Sequence, residues 1–225
     1  MLRRSFMSRL AGMATMLGFG QAGTPPTSVT PSSPSSSSPG AASPSPPWQA
    51  ARHAQDEWWE AAAVKHRVIF DTWGTVNFPE ALQFAGNYIR VNKDEYGVAE
   101  KDLSVVICVR HRTAPFAYND AMWAKYGKAF SQRMQFTDPK THEAPSSNIY
   151  AAQISNLLKQ GLQLAVCSLT TRAYTRIIAQ ETGGDAEGVY KELVANTLGN
   201  SHFVPAGVVA VTRAQERGYA VVSIG

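Results

Sequence analysis

The chain predicts an α/β protein: a three-layer α/β/α sandwich on a mainly parallel sheet of about five strands. Apolar runs of strand length alternate with helical stretches along the folded part, the order that builds a parallel sheet covered by helices. The runs Leu103–Val109 and Leu162–Val166 are nearly continuously apolar rather than alternating, as strands buried on both faces are. At the C-terminus, Ala214–Gly218 is too short for a parallel crossover, which needs about a dozen residues. Ala206–Arg217 is therefore read as a helix joining a short strand at Phe203 and Val204 to a last strand at Tyr219–Ile224.

Ahead of the fold, Arg3 and Arg4 with Phe6 precede a mild apolar stretch, Leu10–Phe19. Residues 1–22 read as a signal peptide of the twin-arginine translocation type, with cleavage after Gly20, Gln21 and Ala22. The expected location is periplasmic or secreted. The stretch is too short to span a bilayer, so no stable membrane insertion is expected after cleavage. Residues 23–47 are dominated by Pro, Ser and Thr and carry no charge, the composition of a disordered linker. Residues 48–64 are read as an N-terminal helical segment leading into the domain at 65–225, with Trp58 and Trp59 serving as core or oligomer surface.

Of the 21 basic residues, Arg3, Arg4 and Arg9 lie in the leader, which has no acid; the remainder holds 18 bases against 17 acids. So balanced a charge gives no electrostatic basis for binding nucleic acid or anionic membrane.

Within the domain, the first strand at Arg67–Trp73 is followed by a helix capped by Thr75 or Asn77, with Ala81, Leu82, Phe84, Ala85, Tyr88 and Ile89 on one face. The second strand is Leu103–Val109. Tyr118–Tyr126 reads as a short helix, and the polar stretch 128–148 as a long loop suited to a lid or binding role. A helix at Ile149–Gln160 then feeds the strand Leu162–Val166 through Gly161. Helices at Thr171–Gln180 and, capped by Asp185, Ala186–Leu198 follow. In the last helix Val208, Val211 and Gln215 share a face.

Cys167 stands where a strand meets a helix that Ser168 or Thr170 can cap. A thiol there lies on the sheet edge where ligands bind and near a helix N-terminus that favours thiolate. Two readings stand at this point: a reactive, sulfur-carrying cysteine, or a small apolar residue packed at a strand end. Cys108 lies inside the second strand. With the first strand placed between those of Cys108 and Cys167, the thiols sit about 10 Å apart, and no intramolecular disulfide is expected.

Beyond the second strand come Arg110, His111 and Arg112, then Asn119, Asp120 and Trp123. Together with Trp73 they form an expected binding cluster at the carboxyl edge, able to hold an anion or assist proton transfer. Asn119 and Asp120 equally suit capping of the next helix. His202, ahead of the short strand, is a further binding candidate. No metal-ligand spacing, heme-attachment pattern, phosphate loop or nucleophile elbow is present, so no metal or cofactor is expected.

The run Leu164–Cys167 opening a helix, with Gln215–Tyr219 entering the last strand, resembles the DsrE-like sulfur-relay superfamily over about residues 65–224. The stretches Val109–His111, Thr113–Pro115, Asn119–Trp123 and Asn200–Pro205 are similar to a branch of that superfamily with twin-arginine leaders. The resemblance implies homo-oligomers and a cysteine at the position of Cys167 that carries persulfide to a partner protein. The expected function is therefore a persulfide carrier or thiol-redox protein. The alternative is a non-enzymatic small-ligand-binding or structural oligomeric protein in which Cys167 only packs.

Overall fold

The computed structural model describes residues 48–60 and 63–225; the expected leader at 1–22 and linker at 23–47 lie outside the described residues. Five parallel strands form one sheet: β1 (His66–Thr72), β2 (Leu103–Val109), β3 (Leu162–Cys167), β4 (Ser201–Val204) and β5 (Ala220–Ile224). Their order is β4-β3-β2-β1-β5. The α/β sandwich expected from the alternation is the architecture found.

The strand order corrects one expectation. β1 does not lie between the cysteine strands; β2 pairs directly with β3. β2 is buried at all seven positions and takes the centre, whereas β1 begins with the polar His66 and Arg67 and lies one place outward. Steps from β1 to β4 run in one direction, so right-handed crossovers put their helices on a single face. These are α1 (Phe78–Tyr96), α2 (Asp120–Met134), α3 (Ala151–Leu158), α4 (Ser168–Thr182) and α5 (Ala186–Ala195). The final crossover reverses direction, placing α6 (Gly207–Gln215) on the opposite face.

Several boundaries move for identifiable reasons. α2 runs on to Met134 because Tyr126, Ala129, Phe130 and Met134 continue a buried stripe at helical spacing. The following loop is docked on α2. Asn148 donates its side-chain amide to the carbonyls of Phe116 and Tyr118, and Pro145 comes so close to Gly127 that a Cβ there would lie 2.1 Å from its oxygen. Phe84 of α1 is 44% exposed and does not join the inward face. In α6 the buried residues are Gly207, Ala210 and Ala214, with Val211 packed partly buried against the same core. Small residues let this helix lie close on the sheet, leaving Val208 and Val209 exposed.

The second face carries a further cover. Residues 54–60 form a 3₁₀ helix, shorter than the helical segment expected over 48–64, and it lays Trp59 against the sheet at 2% exposure. The Tyr219 hydroxyl ties it down, donating to the Trp59 carbonyl at 3.0 Å and bonding the Ser104 hydroxyl at 2.7 Å. A buried tryptophan removes about 150–250 Å² from water, roughly 4–6 kcal/mol gross. This segment completes the second layer of core.

Candidate functional site

Register places the chemistry of this domain on the α6 face of the sheet. Asp71 pairs with Cys108, Cys108 with Ala165, and Ala165 with His202, so these four form one row across the strands. Side chains two residues on return to the same face. The next row toward the carboxyl edge is therefore Trp73, Arg110, Cys167 and Val204, with Cys167 and Val204 in register.

Cys167 is 5% exposed and caps α4 with its own sulfur, which neither Ser168 nor the Thr170 side chain does. Its Sγ accepts from the Thr170 N–H at 3.5 Å and from the Thr170 hydroxyl at 3.3 Å. That hydroxyl in turn accepts from the His111 N–H at 3.1 Å. The arrangement holds His111 at φ 54°, a left-handed conformation that a non-glycine residue adopts only under constraint. Two donors are thus directed at one sulfur. The His111 imidazole is exposed, and its pKa is lowered by partial desolvation and then by Arg112, Arg133 and Arg110.

Beside it lies an ion pair. Arg110 grips Asp71 through Nε–Oδ1 at 2.7 Å and Nη2–Oδ2 at 2.9 Å, and its guanidinium lies 5.1 Å from the centre of the Trp73 ring. The hydrogen bond that Arg110 donates to Asp71 raises the Arg110 pKa further. The Arg110 stem lies against Gly207, where a Cβ would sit 2.7 Å from it, so α6 can start at this point only with glycine. Cys108 is enclosed beneath, its Sγ 3.6 Å from the Gly207 carbonyl, and burial pushes its thiol pKa up. Both thiols are free. They stand on adjacent strands two residues out of register, which sets their Cα atoms about 8 Å apart, beyond the ~7 Å limit for a disulfide.

The expected binding residues do not converge. Trp73, His111 and Cys167 share the edge, but Asn119, Asp120 and Trp123 serve the helical layer. Asn119 caps α2 by accepting from Met122 N–H, and Asp120 accepts from Asn148 N–H at 2.8 Å. Trp123 is 1% exposed, donates to the Pro115 carbonyl and packs on Phe116 and Phe130, so it belongs to the core. His202 is on the right face but one row back, stacked on Trp58 at 4.1 Å, with its pKa lowered by burial. Among the described residues, no three His, Cys, Asp or Glu side chains converge as metal ligands, and no helix is long and apolar enough to cross a membrane.

Asp71 and Gly207 are the site residues that sequence reasoning left out; Arg110 stands in the expected cluster, and Thr170, expected as a cap, instead donates to the Cys167 sulfur. The available signal was Asp71 itself, an acid inside an apolar strand, because a buried carboxylate demands a paired cation.

No family model and no curated protein matches the chain. Among solved structures it is similar to MTH1491 from Methanobacterium thermoautotrophicum, a protein of unknown function. The identity is 17% and the TM-score 0.42, over 71% of this chain and 99% of that one.

Proposed function

We propose that the domain is an exported, DsrE-like sulfur carrier that holds persulfide on Cys167. The observation that supports this reading is the pair of hydrogen bonds from Thr170 to the Cys167 sulfur at the start of α4. In the proposed step, the Cys167 thiolate attacks the outer sulfur of a donor persulfide, R–S–SH. The donor's S–S bond breaks as the new one forms, giving Cys167–S–SH and the thiolate R–S⁻. Atoms, charge and electrons balance without an external oxidant, and the reverse step delivers sulfur to an acceptor thiolate. Leu169, 65% exposed, and Val208, 61% exposed, stand in the first turns of α4 and α6 and suit contact with a protein donor, an acceptor or a second copy.

One observation favours a second reading, in which Cys167 packs and the domain binds a small ligand: the residue is only 5% exposed. Intact mass after polysulfide treatment separates the two. The wild type and Cys108→Ser should gain one sulfur atom, and Cys167→Ser should not. No gain in the wild type, or an equal gain in Cys167→Ser, overturns the carrier. Export is tested separately: Arg3→Lys with Arg4→Lys should keep the precursor in the cytoplasm, and unchanged export removes the twin-arginine route.

A further inference from the structure

One strand beyond Cys167, the end of β4, the first half of α6 and the 3₁₀ segment line a partly open cavity of about 190 Å³. Val204, Pro205, Val209 and Ala210 form its apolar wall, and Asp56 and Arg213, with His53 and Gln55 beside them, form its polar lining. The Asp56 side chain is 8% exposed. Its carboxylate nevertheless makes no hydrogen bond among the described residues: the nearest cations are Arg217 Nη2 at 3.8 Å and Arg213 Nε at 3.9 Å. Arg213 donates through Nη1 to Glu216, while its Nε and Nη2 donate to nothing among the described residues.

The Asp56 oxygens lack protein hydrogen bonds yet stay reachable from the cavity, so a ligand that displaces water there can complete their shell. A simple anion would be repelled by Asp56, and a simple amine by two guanidiniums. Opposite charges side by side in one small space select a ligand that carries both. At about 30 Å³ per water, the volume holds roughly six non-hydrogen atoms. We propose that this cavity binds a small zwitterion of the α-amino-acid class, with its ammonium on Asp56, its carboxylate on Arg213 and a short aliphatic side chain against Val204 and Val209. This inference does not depend on sulfur chemistry at Cys167.

The test is a calorimetric titration of the full chain with L-alanine, and with propionate and ethylamine as analogues that each lack one charge. L-alanine should bind saturably, and each analogue at least about tenfold more weakly, because a polar group left unpaired penalises the incomplete ligand. Asp56→Asn and Arg213→Gln should each weaken L-alanine by about tenfold or more, whereas Cys167→Ser should leave it unchanged. Absence of saturable L-alanine binding to the wild-type chain overturns the proposal. So does equal binding of propionate or ethylamine, which would mean a site for one charge alone. The wild-type comparison decides the matter even where a variant fails to fold.

Discussion

Thr170 donates twice to the sulfur of Cys167, through its N–H at 3.5 Å and its hydroxyl at 3.3 Å. The second bond depends on a third group, since the His111 N–H occupies the hydroxyl oxygen and turns its proton toward the sulfur. Thr170→Val removes this donor while keeping the branched shape. A hydrogen bond to a charged group is worth about 1.5–3 kcal/mol, so alkylation of Cys167 at neutral pH should slow about tenfold or more. Thr170→Ser should restore the rate. Equal rates in all three proteins would mean that the hydroxyl does not act on the sulfur.

The Asp71–Arg110 pair should behave as a buried salt bridge. Arg110→Met strands a carboxylate that is 9% exposed, at a cost of about 3 kcal/mol. Adding Asp71→Leu should recover most of that loss, because the penalty comes from the unpaired charge rather than from the missing contact. Urea unfolding of the wild type, the single and the double variant checks the sign.

Acid should weaken the fold through His202. Burial lowers its pKa in the folded state, while the unfolded chain titrates near about 6.5. Below that pH the unfolded state binds more protons, so the stabilisation present above about pH 6.5 is lost as pH falls toward the folded value. The thermal midpoint should therefore decline on acidification from that pH, and His202→Gln should make the decline shallower. An unchanged slope would assign the loss to other groups.

Trp59→Ala should be severe for so small a segment. Truncating a buried tryptophan costs about 3–5 kcal/mol, which for a domain of this size lowers the midpoint by roughly 6–20 °C. Trp48 is 76% exposed, and Trp48→Ala should leave the midpoint nearly unchanged. Differential scanning calorimetry of the two variants distinguishes a core residue from a surface one.

By itself the sequence determined the class of fold and the position of Cys167, because both rest on local pattern. Apolar runs too continuous for a one-sided sheet, separated by amphipathic helices, leave a parallel sheet as the economical way to bury both faces. The length argument that made Ala206–Arg217 a helix held for the same reason, as chain geometry is local. What only the tertiary structure decided was which strands are neighbours and which side chains share a face. Strand order placed β2 beside β3, so Cys108 and Cys167 became near neighbours. Register brought Asp71, from a strand remote in sequence, under Arg110. Capping was decided by competition: Ser168 and Thr170 have the better composition for an N-cap, yet the Cys167 backbone is extended and its sulfur faces the free N–H of Thr170. Trp123 and Asn119 illustrate the converse, since their polar atoms are matched by Pro115 and Met122 within the helical layer. A polar residue near a strand end is a binding group only if packing leaves its hydrogen-bonding atoms unmatched, and that is settled by neighbours distant along the chain.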